Sequence, residues 1–171
     1  ASAVCQFCDT DFTGTDGENG GVYATANEVA TIVSRLWNEH ANGGQPLVVC
    51  TGGEPLLQLN ETLISELKLR GFQVAVESNG TRPRPAGIDW LCVSPKAGSQ
   101  LLLTSGDELK LVYPQNDAQP EGFASLAFTH FFLQPMDGPQ IAQNTKAAME
   151  YVLSHPQWRL SLQLHKLLGM R

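Results

Sequence analysis

Short apolar segments alternate with amphipathic helical segments along most of the chain, and this alternation restricts the fold more than any other feature. Strands that alternate with helices build right-handed βαβ units. The sequence therefore predicts an α/β fold whose parallel sheet is open or partly closed into a barrel. We expect strands at 46–50, 72–76, 90–93, 109–112, 131–133 and 158–162, and helices from 25 to a turn at 42–44, from 60 to 71 and from 140 to 153.

The starts of two of these helices have capping signals. Thr25 and Glu28 have the spacing of a capping box, in which each side chain satisfies a backbone N–H of the other residue. Asn60 stands where the second helix begins and is a favourable N-cap residue. Residues 115–129, in contrast, give no clear pattern.

Length and charge restrict the function. A chain of 171 residues, 42% of them hydrophobic, can form one core, and we expect a single domain over 1–171. The net charge of −6, without a basic cluster, indicates neither a nucleic-acid nor an anionic-membrane partner. No leader or membrane-spanning run is recognisable, so we expect a cytoplasmic protein with a small-molecule partner. The chain begins at Ala1 rather than Met, and we expect part of the natural N-terminus to be missing.

Polar residues follow the predicted strands. Because the carboxyl ends of parallel strands lie on one rim, where α/β proteins bind ligands, these side chains are expected to converge on one site. They are Thr51 and Glu54, then Glu77 and Asn79, then Ser94 and Lys96, then Gln134 and Asp137, and finally Gln163, His165 and Lys166.

The cysteines fall into two classes. Cys5 and Cys8 form a C-x-x-C pair that suits zinc, an iron-sulfur cluster or dithiol exchange, although the pair leads into a glycine-rich loop rather than the helix that thioredoxin chemistry requires. Cys50 and Cys92 each end an apolar strand, and we interpret both as buried structural residues.

Six motifs occur in an order that resembles the 7-carboxy-7-deazaguanine synthase family of radical S-adenosylmethionine (SAM) enzymes. The resemblance extends from Cys5 to Arg171 and implies a partial (incomplete) TIM-like βα barrel with parallel strands. The motifs are Cys5-x-x-Cys8-Asp9-Thr10, Thr51-Gly52-Gly53-Glu54-Pro55, Glu77-Ser78-Asn79-Gly80, Ser94-Pro95-Lys96, Gln134-Pro135-Met136-Asp137 and Gln163-x-His165-Lys166.

The resemblance also implies cofactors. Enzymes of this kind bind a 4Fe-4S cluster through three cysteines, and Cys5 and Cys8 match the last two of them. The usual spacing places the first cysteine at Ala1, so we expect it upstream, separated by an insert as in one subgroup of the family. Thr10 resembles a ligand of Mg2+, which prefers oxygen donors.

The remaining site residues are implied by the same resemblance. Thr51 and the C-terminal Arg171 match substrate contacts, although an arginine side chain departs from the family pattern. The residues expected to bind the cofactor SAM or its cluster are Phe7, Gly53, Glu54, Glu77, Asn79, Ser94, Pro95, Lys96, Gln134, Pro135, Met136 and Asp137.

The implied reaction is the ring contraction of 6-carboxy-5,6,7,8-tetrahydropterin to 7-carboxy-7-deazaguanine, with loss of ammonia, in the biosynthesis of queuosine and other 7-deazapurines. A SAM-derived radical performs the chemistry, SAM is regenerated, and a flavodoxin-like protein or another reductant supplies the electron. A homodimer is compatible with the resemblance. Two alternatives stay open, namely a radical SAM activase of a glycyl radical enzyme and a non-catalytic zinc-binding module.

Overall fold

The computed structural model describes residues 14–17, 19–40 and 43–169. The helices are α1 (Ala26–His40), α2 (Glu61–Leu69), α3 (Ile141–Ser154) and α4 (Leu164–Leu167). Short 3-10 helices occupy Pro55–Leu57 and Pro120–Gly122. The strands are β1 (Leu47–Cys50), β2 (Gln73–Ser78), β3 (Trp90–Val93), β4 (Ser105–Tyr113), β5 (Ala127–Pro135) and β6 (Trp158–Leu160).

The six strands follow one another across a single sheet in the order β1-β2-β3-β4-β5-β6. Strand β1 is parallel to β2, β3 to β4, β4 to β5, and β5 to β6. Because the order is linear, these strands do not close into a complete barrel. The predicted α/β class, with parallel strands in a partial barrel, is confirmed.

The described chain divides into two compact units. The N-terminal unit contains residues 14–17, 19–40, 43–78 and 82–91, and the C-terminal unit contains residues 79–81 and 92–169. The expectation of a single domain over 1–171 stays a prediction.

In the N-terminal unit, the capping predictions are confirmed by hydrogen bonds. The backbone N–H of Glu28 donates to Thr25 Oγ1 at 3.2 Å, and that of Thr25 donates to Glu28 Oε2 at 3.2 Å. Asn60 Oδ1 accepts from the backbone N–H of Leu63 at 3.0 Å at the start of α2. A hydrogen bond outside the helix caps fixes β2: Asp89 Oδ2 accepts from the backbone N–H of Val74 at 2.8 Å.

The core of the N-terminal unit lies between α2 and the strands. Ile64 and Leu67 of α2 and Val74 and Val76 of β2 are almost completely buried. Buried aliphatic side chains of this size each contribute about 1.5–3 kcal/mol to stability. This core fixes β2, which leads into the motif at 77–80.

In the C-terminal unit, β4 and β5 form the longest pairing, from Ser105↔Ala127 to Tyr113↔Pro135. Leu109, Leu111 and Leu133 on these strands are fully buried. Both strands therefore reach the same edge of the sheet with their carboxyl ends, as expected for neighbouring parallel strands.

Several elements differ in length from the prediction made from the sequence. Strand β5 begins at Ala127 and ends at Pro135, so it is longer than the predicted 131–133 and includes Gln134. Strand β6 ends at Leu160, and α4 follows where no helix was predicted. No helix among the described residues is both long and apolar enough to cross a membrane.

Candidate functional site

The turn at residues 51–55 follows β1 in the N-terminal unit. Gly52 has a φ of +124°, a backbone conformation that residues with a Cβ rarely adopt. Thr51 and Gly53 are exposed. The turn therefore leaves the Gly53 backbone accessible to a ligand.

Glu54 supports the turn itself. Its Oε1 atom accepts hydrogen bonds from the backbone N–H of Leu56 at 3.0 Å and from Ser78 Oγ at 2.9 Å. Ser78 is the last residue of β2 and is only 2% exposed. At least one oxygen of this predicted cofactor residue therefore fixes the turn to the neighbouring strand.

Glu77 lies within β2, not after it as the sequence suggested. Because side chains alternate along a strand, exposed Glu77 points away from the face that buries Ser78. Glu77 is therefore on the opposite face of β2 from Ser78, and its role in cofactor binding stays a prediction.

Residues 79–81 form a tight turn in the C-terminal unit. Asn79 Oδ1 accepts from the backbone N–H of Thr81 at 3.0 Å and from Thr81 Oγ1 at 2.7 Å. Gly80 has a φ of +77°, and a Cβ atom here would lie 2.5 Å from Leu101 Cδ1. The side-chain oxygen of Asn79 thus stabilises a turn whose central position favours glycine.

The segment at residues 94–96 directly follows β3. Lys96 Nζ donates to Ser94 Oγ at 2.6 Å, and both side chains are half-buried. The Lys96 carbonyl accepts from the backbone N–H of Ser99 at 3.1 Å and from Ser99 Oγ at 2.7 Å. The segment is thereby closed into a turn that presents a hydroxyl and an ammonium group together.

The segment at residues 134–137 ends β5. Pro135 pairs in register with Tyr113, and the backbone N–H of Met136 donates to the Tyr113 carbonyl at 2.8 Å. The Met136 carbonyl in turn accepts from Asn144 Nδ2 at 2.8 Å. Both polar groups of the Met136 backbone are therefore fixed.

An ion pair joins this segment to the last motif. Lys166 Nζ of α4 lies 2.5 Å from Asp137 Oδ2, and the two side chains are 29% and 45% exposed. Gln163 precedes α4, and His165 is exposed. The C-terminal unit thus brings the 134–137 segment together with Lys166.

Sequence reasoning missed the side chains that hold these segments. Gln115 and Asn144 are 4% and 7% exposed, and each is hydrogen bonded to a predicted cofactor segment or to the residue beside it. Gln115 lies in the stretch without a clear pattern, and Asn144 is inside a helix, where nothing in the local sequence marks it. Ser78 belongs to the motif at residues 77–80, but the sequence predicted no site role for it.

The two strand cysteines fit a structural role. Cys92 is 2% exposed, and its Sγ lies 3.4 Å from Glu108 Oε1. Cys50 is half-buried, and burial raises the pKa of its thiol above the usual value. A raised pKa disfavours the thiolate, so Cys50 is poorly suited to bind a metal or act as a nucleophile.

Five predicted site residues lie outside the described residues, namely Cys5, Phe7, Cys8, Thr10 and Arg171. Within residues 14–17, 19–40 and 43–169, no three His, Cys, Asp or Glu side chains are grouped to hold a metal ion. The predicted cluster and magnesium ligands therefore stay predictions.

Comparisons with known proteins agree with the motif order. Residues 3–110 match the model of the radical SAM superfamily. The chain is 60% identical to the 7-carboxy-7-deazaguanine synthase of Caulobacter vibrioides and 57% identical to that of Bordetella pertussis. Each alignment covers 99% of this chain and 80% of the relative.

A solved structure agrees on the fold. The crystal structure of QueE from Escherichia coli matches with a TM-score of 0.68 and 24% identity, over 93% of this chain and 79% of that one. The sequence matches favour the synthase interpretation over the glycyl-radical activase and the zinc-binding module. The chain therefore belongs to the 7-carboxy-7-deazaguanine synthase family of radical SAM enzymes.

Proposed function

We propose that this chain converts 6-carboxy-5,6,7,8-tetrahydropterin to 7-carboxy-7-deazaguanine with loss of ammonia, as a ring-contracting carbon–nitrogen lyase in queuosine and 7-deazapurine biosynthesis. The observation that carries the proposal is 60% identity over 99% of the chain to a protein named for this product. The alignment covers nearly the whole chain, and on that ground we propose roles for the residues of the six motifs.

The donor groups at residues 94–96 suit the amino-acid end of SAM. A carboxylate is well bound by an ammonium group and a hydroxyl that are already close together, as Lys96 and Ser94 are. In the N-terminal unit, the exposed backbone at Gly53 offers N–H and C=O groups to a polar ligand. We assign Ser94, Lys96 and Gly53 to SAM on this chemical fit.

The segment at residues 134–137 is more apolar than the segment at residues 94–96. Pro135 is buried at the end of β5, and Met136 is half-buried with a fixed backbone. A rigid, partly apolar strand end suits a flat aromatic group such as the adenine of SAM. We therefore assign the segment to the nucleoside part of the cofactor, with Asp137 held by Lys166.

The metal ligands of the proposal lie outside the described residues. We assign Cys5 and Cys8 to a 4Fe-4S cluster, Phe7 to its surroundings and Thr10 to Mg2+, because two cysteines three positions apart in the sequence suit iron-sulfur clusters and a hydroxyl suits magnesium. Cys5 and Cys8 would hold this cluster, which when reduced would supply one electron for the reductive cleavage of SAM.

The task of the protein is to position the reactants and exclude water. A primary carbon radical reacts with any nearby C–H bond, so the substrate carbon must be held within about 3–3.5 Å of it. Segments that are fixed by hydrogen bonds to rigid strands suit this task. Thr51, which is exposed beside Gly53, and Arg171 are assigned to the substrate.

A flavodoxin-like protein or another one-electron donor as the reductant, and a homodimeric assembly, belong to the same proposal. Both rest on family membership alone. Neither is needed for the assignment of the residues above.

The proposal is tested by turnover. The protein is expressed from its complete gene, loaded anaerobically with iron and sulfide, and incubated with SAM, dithionite, Mg2+ and 6-carboxytetrahydropterin. Mass spectrometry should detect 7-carboxy-7-deazaguanine, and Cys8→Ala should abolish it. A loaded cluster that cleaves SAM without forming this product would contradict the proposal.

A matched pair of variants tests the assignment of Lys96. Lys96→Met should raise KM for SAM by about tenfold, because a single point charge on a carboxylate is lost. Lys146→Met on the exposed face of α3, where the side chain is 78% exposed, should leave KM unchanged. Equal KM values for the two variants would remove Lys96 from the site.

A further inference from the structure

Three polar side chains are buried among the described residues, and each is bonded to a segment assigned to SAM or to a residue beside it. They are Ser78, Gln115 and Asn144, at 2%, 4% and 7% exposure. Ser78 is bonded to Glu54 of the 51–55 turn in the N-terminal unit. The other two belong to the C-terminal unit, where two assigned segments lie.

Gln115 joins the ends of two strands. Its Nε2 donates to the Val112 carbonyl near the end of β4 at 2.8 Å, and its Oε1 accepts from the backbone N–H of Ala97 at 3.3 Å. Ala97 directly follows the Ser94-Pro95-Lys96 segment. One carboxamide therefore fastens the segment after β3 to the neighbouring strand.

Gln115 is itself held in place. Its carbonyl accepts from Gln119 Nε2 at 2.8 Å, so the backbone that carries the carboxamide is tied down as well. The hydrogen bond to Ala97 therefore comes from a side chain whose own backbone is held by a second hydrogen bond.

Asn144 performs the same task for the segment after β5. Its Nδ2 on α3 donates to the Met136 carbonyl at 2.8 Å, while the backbone N–H of Met136 donates to Tyr113. The Met136 backbone is therefore held from the helix layer on one side and from strand β4 on the other.

Buried carboxamides are costly for a core. A buried amide that lacks a hydrogen-bond partner destabilises the fold, whereas an apolar side chain such as leucine or methionine carries no such cost. Gln115 and Asn144 avoid this cost because their carboxamides form hydrogen bonds to backbone atoms at or beside the two assigned segments. These hydrogen bonds therefore connect the two segments to side chains that are fixed in the core, and so hold the segments in place.

We propose that Gln115 and Asn144 are positioning residues for SAM, which act by holding the segments at residues 94–97 and 134–137 in their binding geometry. The inference rests on the proposed function, because it takes these segments as SAM-binding. Neither residue needs to contact the cofactor.

The test measures binding without turnover. The loaded protein is titrated with S-adenosylhomocysteine, which keeps the adenosine, amino and carboxylate groups of SAM, and Kd is measured by calorimetry. Gln115→Met and Asn144→Leu replace the carboxamide by an apolar group on a side chain of similar length. Each should raise Kd by about tenfold, since small misplacements of binding groups have effects of this size or larger. In Gln115→Met, hydrogen exchange of the Ala97 amide should also accelerate.

Two control variants separate positioning from general stability. Gln157→Met removes a carboxamide whose Nε2 donates to the Ala124 carbonyl at 2.7 Å, in a loop without assigned residues. Leu109→Ala removes a fully buried side chain of β4 and should lower Tm. Both should leave Kd for S-adenosylhomocysteine unchanged.

The outcomes distinguish the inference from the proposed function. If the unaltered protein binds S-adenosylhomocysteine and Gln115→Met and Asn144→Leu bind it equally well, the positioning role is wrong and the function stands. If Leu109→Ala weakens binding as much as these variants do, the effect is stability alone and the inference is also wrong. If the unaltered protein does not bind S-adenosylhomocysteine, the assignment of the two segments to SAM is wrong and the inference fails with it, whereas the proposed function is decided separately by turnover of 6-carboxytetrahydropterin.

Discussion

The hydrogen bond between Ser78 and Glu54 should stabilise both the fold and the turn that exposes Gly53. Ser78 Oγ donates to Glu54 Oε1 at 2.9 Å, and the hydroxyl is on a residue that is 2% exposed. Hydrogen bonds to charged groups contribute about 1.5–3 kcal/mol net. Glu54 is only half-buried, so the lower end, about 1.5 kcal/mol, applies to Ser78→Ala.

This loss of stability is measurable. For a chain of this size, 1 kcal/mol corresponds to about 2–4 °C in Tm, so Ser78→Ala should lower Tm by about 3–6 °C. Urea denaturation followed by circular dichroism gives the free energy of unfolding for Ser78→Ala, Glu54→Ala and the double variant. The double-mutant cycle should yield a coupling energy of about 1 kcal/mol or more.

The exposed hydroxyl of Ser154 serves as the control for Ser78. Ser154→Ala removes an exposed hydroxyl that bonds to carbonyls of its own helix, and should change the free energy of unfolding by less than about 0.5 kcal/mol. If the coupling energy between Ser78 and Glu54 is below about 0.3 kcal/mol, the two residues act independently, and the reasoning that ties β2 to the turn is refuted.

Three further predictions concern other parts of the chain. Gly80→Ala should destabilise the protein by about 1–3 kcal/mol in urea denaturation, because φ is +77° and an added Cβ would lie 2.5 Å from a side-chain carbon; an unchanged midpoint would contradict this. Hydrogen bonds from Lys68 and from a backbone N–H lower the pKa of Asp89, so its contribution to stability is complete above about pH 4 and is lost as the pH falls through the folded-state pKa. Asp89→Asn should therefore flatten the acid-unfolding curve, and identical curves would contradict the assignment. Burial, followed by the hydrogen bond to Glu121, raises the pKa of Tyr151 to about 12. In an ultraviolet pH titration, Glu121→Gln should lower that pKa without returning it to its usual value, and an unchanged titration would show that the bond has no effect.

The predictable part of the fold came from local patterns. The capping box of Thr25 and Glu28 and the cap at Asn60 were predicted because their hydrogen bonds join residues three positions apart. The ends of β5 were predicted wrongly because Thr129, His130 and Gln134 interrupt the apolar pattern on either side of residues 131–133. The strand extends past them because it pairs with β4.

The predictable part of the site came from motifs at strand ends. Thr51 and Ser94 directly follow β1 and β3, as the alternation of strands and helices predicted, whereas Glu77 and Gln134 lie inside their strands. The side chains that hold them could not be predicted, because the bond from Gln115 to Ala97 and that from Asn144 to Met136 join residues with no local pattern between them. Only the tertiary fold pairs these groups.

The most direct test of the account is turnover of 6-carboxytetrahydropterin that carries deuterium at C6, with mass spectrometry of the products and of the recovered SAM. The proposed reaction predicts 7-carboxy-7-deazaguanine together with deuterium in SAM, because the resemblance implies that the SAM-derived radical takes hydrogen from C6 of the substrate and that SAM is regenerated. Cleavage of SAM to 5'-deoxyadenosine without 7-carboxy-7-deazaguanine would contradict the proposed function.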